Sequence, residues 1–281
     1  MKYRLILLFT VLTSSMAFAQ NDDWWELDDW SFDFGWSHKK PYISLSYGMA
    51  ENSYLNLPGA LANTGSIEAK LGYSNSTTSF KRAPFEKQSG VFFGKHAYNI
   101  GNTTDGTKIQ TTAWKFGFDG SSGIAYNIGD VKVIPYNSRG MQWSYMTVDT
   151  FNISGKAREI MDLYNESIRF GNRFEGGVKL RVKETVELGA GWQRSIVYPR
   201  TMFWYWAGSS IIEEIGHGLI DEFVAAIHKS SPGATPIVYF LLKNALSYGA
   251  YELRKEKMNW PFDTESPFFS DSYRVTLTWV F

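Results

Sequence analysis

The sequence contains no cysteine, which excludes disulfides, thiolate nucleophiles, cysteine-ligated metals and a lipid-anchored N-terminal cysteine. It also lacks an excess of charge of either sign. There are 28 basic and 28 acidic side chains, for a formal net charge of +0, and this argues against a protein that binds nucleic acid through a basic field. Histidine is scarce, limited to His38, His96, His217 and His228. No Gly-x-Gly-x-x-Gly dinucleotide motif and no phosphate loop occurs, so no cofactor is expected. Long hydrophobic runs are missing as well. Beyond the N-terminus no segment reaches the roughly 18 consecutive apolar residues of a spanning helix, and the longest run, Pro236–Leu242, is stopped by Lys243. With a mean hydropathy of -0.25, the chain is too polar for a multi-pass helical membrane protein.

What the chain does have is aromatic residues: 11 Trp, 16 Tyr and 20 Phe. Its N-terminus has the layout of a secretory signal. Lys2 and Arg4 precede the apolar stretch Leu5–Leu12, and Ala17-Phe18-Ala19 offers small residues for cleavage. The apolar core is too short for a bilayer about 30 Å thick, which takes about 20 helical residues. Residues 1–19 are therefore expected to be removed, leaving a mature chain from Gln20; the alternative is a retained anchor. An exported chain without spanning helices is either soluble or a β-barrel.

Alternation bears on that choice. In the C-terminal segment Tyr273, Val275, Leu277, Trp279 and Phe281 share one face, and Arg274, Thr276, Thr278 and Val280 the other. The apolar face is aromatic at both ends and aliphatic between, as membrane barrels require at their two interfaces. This segment resembles the C-terminal assembly signal of bacterial outer-membrane β-barrel proteins, an alternating strand that closes on a terminal aromatic. The resemblance spans a single strand and identifies a class. It implies insertion into outer-membrane lipid by the barrel-assembly machinery. The competing reading is the edge strand of a soluble sandwich.

Period-two alternation recurs along the chain, with Ile43, Leu45, Tyr47 and Met49 against Ser44, Ser46 and Gly48, and with Val186, Leu188, Ala190 and Trp192 against Glu187, Gly189, Gly191 and Gln193. Ten strands are expected, at 41–49, 65–74, 89–97, 107–118, 122–128, 131–136, 141–148, 174–182, 186–197 and 272–281, with eight or twelve as alternatives. The fold class is all-β: an antiparallel up-and-down transmembrane barrel over 41–281. Turns are expected at 119–121, 129–130, 137–140 and 183–185. The stretches 50–64, 149–173 and 198–271 become long loops at the opposite end. The link 75–88 is long for a short-turn end, and Pro135 weakens its strand. The polar face of each strand must look inward, because Lys70 or Arg181 turned to lipid at mid-bilayer would cost roughly 2–4 kcal/mol each. The expected lumen charges are Glu68, Lys70, Lys115, Glu175, Lys179, Arg181, Glu187 and Arg274, with the basic ones in excess.

Residues 200–260 break the alternation. Ser209 or Ser210 can cap a helix to His228, with Ile212, Ile215, Leu219, Phe223 and Ala226 at helical spacing. Thr235 and Pro236 open a second helix to Arg254. A third, short helix is expected at 155–165. The long pair reads as a helical hairpin that plugs the barrel, lies on the outer leaflet or caps the mouth as a lid. Two helices each about 10 Å wide cannot enter so small a barrel, which favours a cap or an interfacial element. Residues 20–40 form an acidic, Trp-rich arm. It reads either as a solvated periplasmic tail or as a docking segment for a periplasmic partner or for the lumen.

Catalytic signals are sparse. Glu214-x-x-His217, followed by Asp221, puts potential metal ligands on one helix face, but a di-iron site needs two such motifs. No catalytic or metal residue is assigned. The expected role is non-enzymatic, structural or interaction-based, in the Gram-negative bacterial envelope. A narrow channel or small-ligand passage protein comes next, and an outer-membrane lipid- or peptide-processing enzyme third.

Overall fold

The computed structural model describes residues 39–80, 83–100, 108–149, 153 and 155–281. The expected signal peptide, nearly all of the acidic arm and His38 lie outside the described residues. Nine strands are present: β1 (Lys40–Tyr54), β2 (Thr64–Phe80), β3 (Ala83–Ala97), β4 (Thr111–Ile124), β5 (Tyr126–Ile128), β6 (Val131–Val148), β7 (Ser167–Val182), β8 (Val186–Val197) and β9 (Phe268–Val280). All pairings between them are antiparallel. β1 pairs with β9 and β4 with β6, so eight strands close into a barrel, while β5 pairs only with the start of β6.

The barrel has eight strands, not ten, because two expected turns are strand interior. Asp119-Gly120-Ser121 lies inside β4 and Asn137–Gly140 inside β6. The segment 75–88, which looked too long for a turn, extends β2 and β3 as far as the pairing of Phe80 with Ala83. Pro135 sits within β6 opposite Val178. The Gly129-Asp130 turn joins β5 to β6, where Gly129 has φ +60 and needs no Cβ clearance. Lys183–Thr185 joins β7 to β8. Following partners round the wall from Ile43 through Leu71, Val91, Phe118, Met141, Asn172, Ile196 and Phe269 leads back to β1 at Ser53. That stagger reflects the strand tilt that closure demands.

All short connections lie at one barrel end and all long ones at the other. The long-loop end carries 55–63, 98–110, 149–166 with helix α1 (Gly155–Asp162), and 198–267. The last of these holds helix α2 (Phe203–Ser230), a 3-10 turn at Pro232–Ala234 and helix α3 (Thr235–Arg254). α2 begins six residues before the expected caps, so Ser209 and Ser210 are helix interior. The hairpin neither caps nor plugs the mouth. It runs down the outer wall, from Trp206, whose Nε1 donates to Asn172 of β7 (3.0 Å), past Glu214 beside Arg139 of β6 (2.7 Å), to Tyr239 beside Ser122 of β4 (2.8 Å). At its tip Tyr126 donates to the Gly233 carbonyl (2.8 Å).

The outward faces of β1, β2, β3 and β9 form a belt of exposed apolar side chains that includes Leu45, Leu71, Phe93 and Val275. Where the hairpin covers the wall, alternation of burial gives way to continuous burial: Ile134–Ser138 of β6, Gly171–Phe174 of β7 and Gln193–Val197 of β8 are buried on both faces.

Candidate functional site

Eight strands leave an interior that side chains just fill, and here they fill it with charge. Glu68 of β2 is the hub of one layer. Arg173 of β7 donates to both of its oxygens (2.7 and 2.9 Å), and Arg274 of β9 donates to Oε1 (2.8 Å). Arg173 also donates to Asp119 of β4 (2.5 Å), to which Lys70 is paired at 2.7 Å. Arg274 reaches Glu175 at 3.4 Å, and the Tyr136 hydroxyl donates to the same carboxylate. The Arg173 guanidinium lies 3.6 Å from the ring centre of Phe92. Apart from the Tyr136–Glu175 contact between adjacent β6 and β7, these contacts join strands that are not neighbours, so they cross the lumen.

A second layer lies toward the short-turn end. Arg181 pairs with Glu86 (2.6 Å) and with Glu187, and Lys132 pairs with Glu86 (3.0 Å) and Glu184 (2.7 Å). Gln88 donates to both Glu187 oxygens at 2.9 Å. Lys179 donates to Gln88 (2.6 Å) and Ser121 (2.9 Å), whereas Lys115 belongs with the first layer, on the long-loop side, and donates to Ser195 (3.1 Å). Between the layers is a cavity of about 30 Å³ lined by Tyr42, Lys70, Gln88, Glu175 and Lys179 among others, room for about two waters.

At the long-loop end the filling turns apolar. α1 inserts Ala157 and Met161 among Leu61, Met146, Val148, Val197 and Phe268. Tyr164 packs edge-on to Tyr54 (6.3 Å between ring centres) and beside Phe268 (5.8 Å). Burial pushes its hydroxyl well above the ordinary tyrosine value. The interior is thus filled by two charged layers and an apolar stopper in series.

The eight charges singled out from the sequence all belong to these inner layers, with Glu68, Lys115, Arg181, Glu187 and Arg274 fully buried. Four charged partners on the strands were missed, Glu86, Asp119, Lys132 and Arg173, besides Glu184 in the β7–β8 turn. Glu86 fell in the supposed link and Asp119 in a supposed turn, while Arg173 lay one residue before an expected strand. Lys132 stood in an expected strand that Pro135 made weak. Extending the other strands by their own alternation would have recovered Glu86, Asp119 and Arg173. The C-terminal residues Tyr273, Val275, Leu277, Trp279 and Phe281 are all exposed on the outer belt.

A second polar assembly lies between hairpin and wall. In α2 the inward stripe is Ser209, Glu213, His217 and Val224; in α3 it is Tyr239, Lys243, Ser247, Tyr251 and Arg254. Glu213 pairs with Arg254 (2.7 Å) and Asp221 with Lys243 (2.7 Å), which locks the helices together. Glu214 pairs with Arg139 (2.7 Å), and Glu252 pairs with Arg194, which also holds Asp271 (2.9 Å). Asn244 lies against Gly176, where a Cβ would stand 2.3 Å from its Oδ1, so glycine permits the close approach of helix to wall. Arg139 and Arg194 point outward from the barrel. Bare to hydrocarbon they would cost roughly 2–4 kcal/mol each, so the hairpin's carboxylates are what make such a wall tolerable.

The residues of the Glu214-x-x-His217 motif and Asp221 go to different partners: Arg139, Ser247 and Lys243. Among the described residues no cluster of metal-ligating side chains occurs. His217 Nε2 lies 3.4 Å from Ser247 Oγ and 3.8 Å from Glu213, and Nδ1 has no hydrogen-bond partner. Serine and acid thus crowd one ring nitrogen, whereas a catalytic relay needs one on each. His96 is buried in the lumen.

No protein-family model matches the chain, and a search of curated proteins found no match. Among solved structures, the barrel is similar to Neisserial surface protein A, at 11% identity and a TM-score of 0.43, covering 86% of this chain and 97% of that one. It is also similar to Ail, the attachment invasion locus protein of Yersinia pestis, at 6% identity and a TM-score of 0.36, covering 87% of this chain and 99% of that one. Both neighbours are bacterial outer-membrane β-barrels, and the likeness is one of architecture: an antiparallel barrel of eight strands, which here carries a helical segment before the last strand.

Proposed function

We propose that this protein is a sealed outer-membrane barrel with a structural or interaction role in the bacterial envelope. The observation that carries this is the filled lumen: two layers of crossed ion pairs beneath an apolar stopper, with a cavity of only about 30 Å³ between them. Water-filled channels need about 16 strands, whereas eight suffice only for side chains. The exposed apolar belt supports placement in a bilayer. The uneven loops support a periplasmic short-turn end and an external long-loop end, since barrels of this class keep periplasmic turns short. On this reading the chain is exported, loses its signal peptide and is inserted by the barrel-assembly machinery through the Tyr273–Phe281 strand. Residues 20–40 are then the segment offered to a periplasmic partner.

Conductance of refolded residues 20–281 in planar bilayers tests the reading, with folding checked by a heat-dependent gel shift. Folded insertion without current is the expected result. Stable current steps that change when Lys70 or Arg181 is neutralised would overturn it in favour of a narrow channel.

A further inference from the structure

We infer that the α2–α3 hairpin is immersed in the membrane beside the barrel, with its outer face packed against lipid acyl chains. This rests on the bilayer placement proposed above. It is not implied by that placement, because a hairpin that starts and ends at the long-loop end could equally stand in water.

The pattern of burial is inverted. Along both helices the polar side chains face the protein and the apolar ones face out. Leu219 is 67% exposed, Phe223 56% and Leu241 57%, while His217 and Ser247 are fully buried. The residues that looked like a core face in the sequence, Ile212, Ile215, Leu219 and Phe223, are the outward face. No described helix is long and apolar enough to cross a membrane by itself. The reason is the charged stripe, and that stripe is paired within the hairpin and with the wall. Helical backbone satisfies its own hydrogen bonds, as hydrocarbon requires.

Dimensions and chemistry fit the same occupant. α2 has 28 residues, about 42 Å of helix, enough to run the height of the apolar belt. It opens at the long-loop end with exposed Phe203, Trp204 and Tyr205, and Trp260 lies exposed where the chain returns, as aromatic residues do at a membrane interface. At the other end it closes with His228, Lys229 and Ser230. The charged residue exposed on the outward face before that end, Glu222, lies in the last third of the helix, toward the short-turn rim. The outward face continues the barrel's own belt, and a contiguous apolar face of this extent is a liability in water.

The native absence of cysteine makes the test clean. Leu219→Cys and Leu241→Cys on the hairpin, Leu71→Cys on the belt and Asp263→Cys in the exposed loop would each carry a nitroxide on the mature chain, refolded into phosphatidylcholine vesicles. Ile215→Cys and Ile237→Cys replace any hairpin variant that loses the heat-dependent gel shift. Accessibility to oxygen and to a water-soluble nickel chelate is then compared. The expected result is a several-fold higher oxygen-to-nickel ratio at the hairpin sites than at 263, matching site 71. A water-like ratio on the hairpin with a lipid-like ratio at 71 overturns the inference and leaves the barrel placement standing. A water-like ratio at 71 as well overturns the placement itself. Shielding of the hairpin sites from both reagents overturns the inference in favour of a second copy or another protein on that face.

Discussion

The wall of this barrel has two sides built by different rules. Along the middle of β1, β2, β3 and β9 exposed apolar side chains such as Leu45, Leu71, Phe93 and Val275 alternate with residues that point into a charged lumen. On the stretches of β6, β7 and β8 beneath the hairpin, both faces are buried and the outer one carries Asn137, Arg139, Asn172 and Arg194. The backbone pairing is the same on both sides. The difference lies in what covers the outer surface: no described residue in one case, and in the other a pair of helices whose carboxylates meet the wall's arginines. Alternation in a strand therefore reports the environment of its outer face rather than the presence of a strand.

The most damaging way to break the contrast is to remove the cover. Replacing Phe203–Trp260 by a flexible linker should cost more than the roughly 3–5 kcal/mol of breaking one buried pair, since Arg139 loses Glu214, Arg194 is left with Asp271 alone of its two acids, and Asn137 and Asn172 lose their helix partners. It would be read as a lowered urea midpoint in vesicles, and Arg139→Leu in the deleted chain should recover part of the loss. Next comes the lumen that both sides share. Glu68→Ala leaves Arg173 with Asp119 alone and Arg274 with Glu175 alone, and removing one partner of a buried pair costs about 3–5 kcal/mol; equilibrium unfolding monitored by the gel shift measures it. A smaller effect is expected where helix meets wall. Gly176→Ala sets a methyl 2.3 Å from Asn244 Oδ1 and should destabilise by about 1–3 kcal/mol through overpacking, whereas Gly129→Ala, at φ +60 with nothing within 4 Å of the added methyl, tests backbone strain alone. The smallest effect belongs outside both regions. Lys257 pairs with Asp263 at 3.0 Å, and both are exposed, so Lys257→Ala should shift the midpoint by no more than about 1 kcal/mol.

The same contrast explains which elements could be read in advance. On the bare side strand positions and facing followed directly from alternation: β1, β2 and β9 lie where Ile43–Met49, Ile67–Tyr73 and Tyr273–Phe281 put them. On the covered side the strand count went wrong. Asn137-Ser138-Arg139-Gly140 has the composition of a turn because Asn137 and Arg139 occupy outward positions that elsewhere hold exposed apolar side chains, and Asp119-Gly120-Ser121 has it because two polar lumen residues flank a glycine. The helical pair was legible as helices, yet its orientation was not. An apolar stripe is the same whether it seeks a protein core or a bilayer, and only the partners of Glu214 and Glu252 on the wall decide between them.

What the sequence determined by itself is the class of structure: period-two alternation with charge on one face and aromatics on the other admits few folds, and the inward facing of Glu68, Lys70 and Arg181 follows from the cost of turning them out. What only the tertiary structure decided is the pairing. That Glu68 meets Arg173 and Arg274, that Arg181 meets Glu86, and that Arg139 and Arg194 find acids on a hairpin many residues away depends on strand stagger and on where the helices dock. Those are long-range choices, set by closure of the barrel and by the need to leave no charge unpaired in a dry environment.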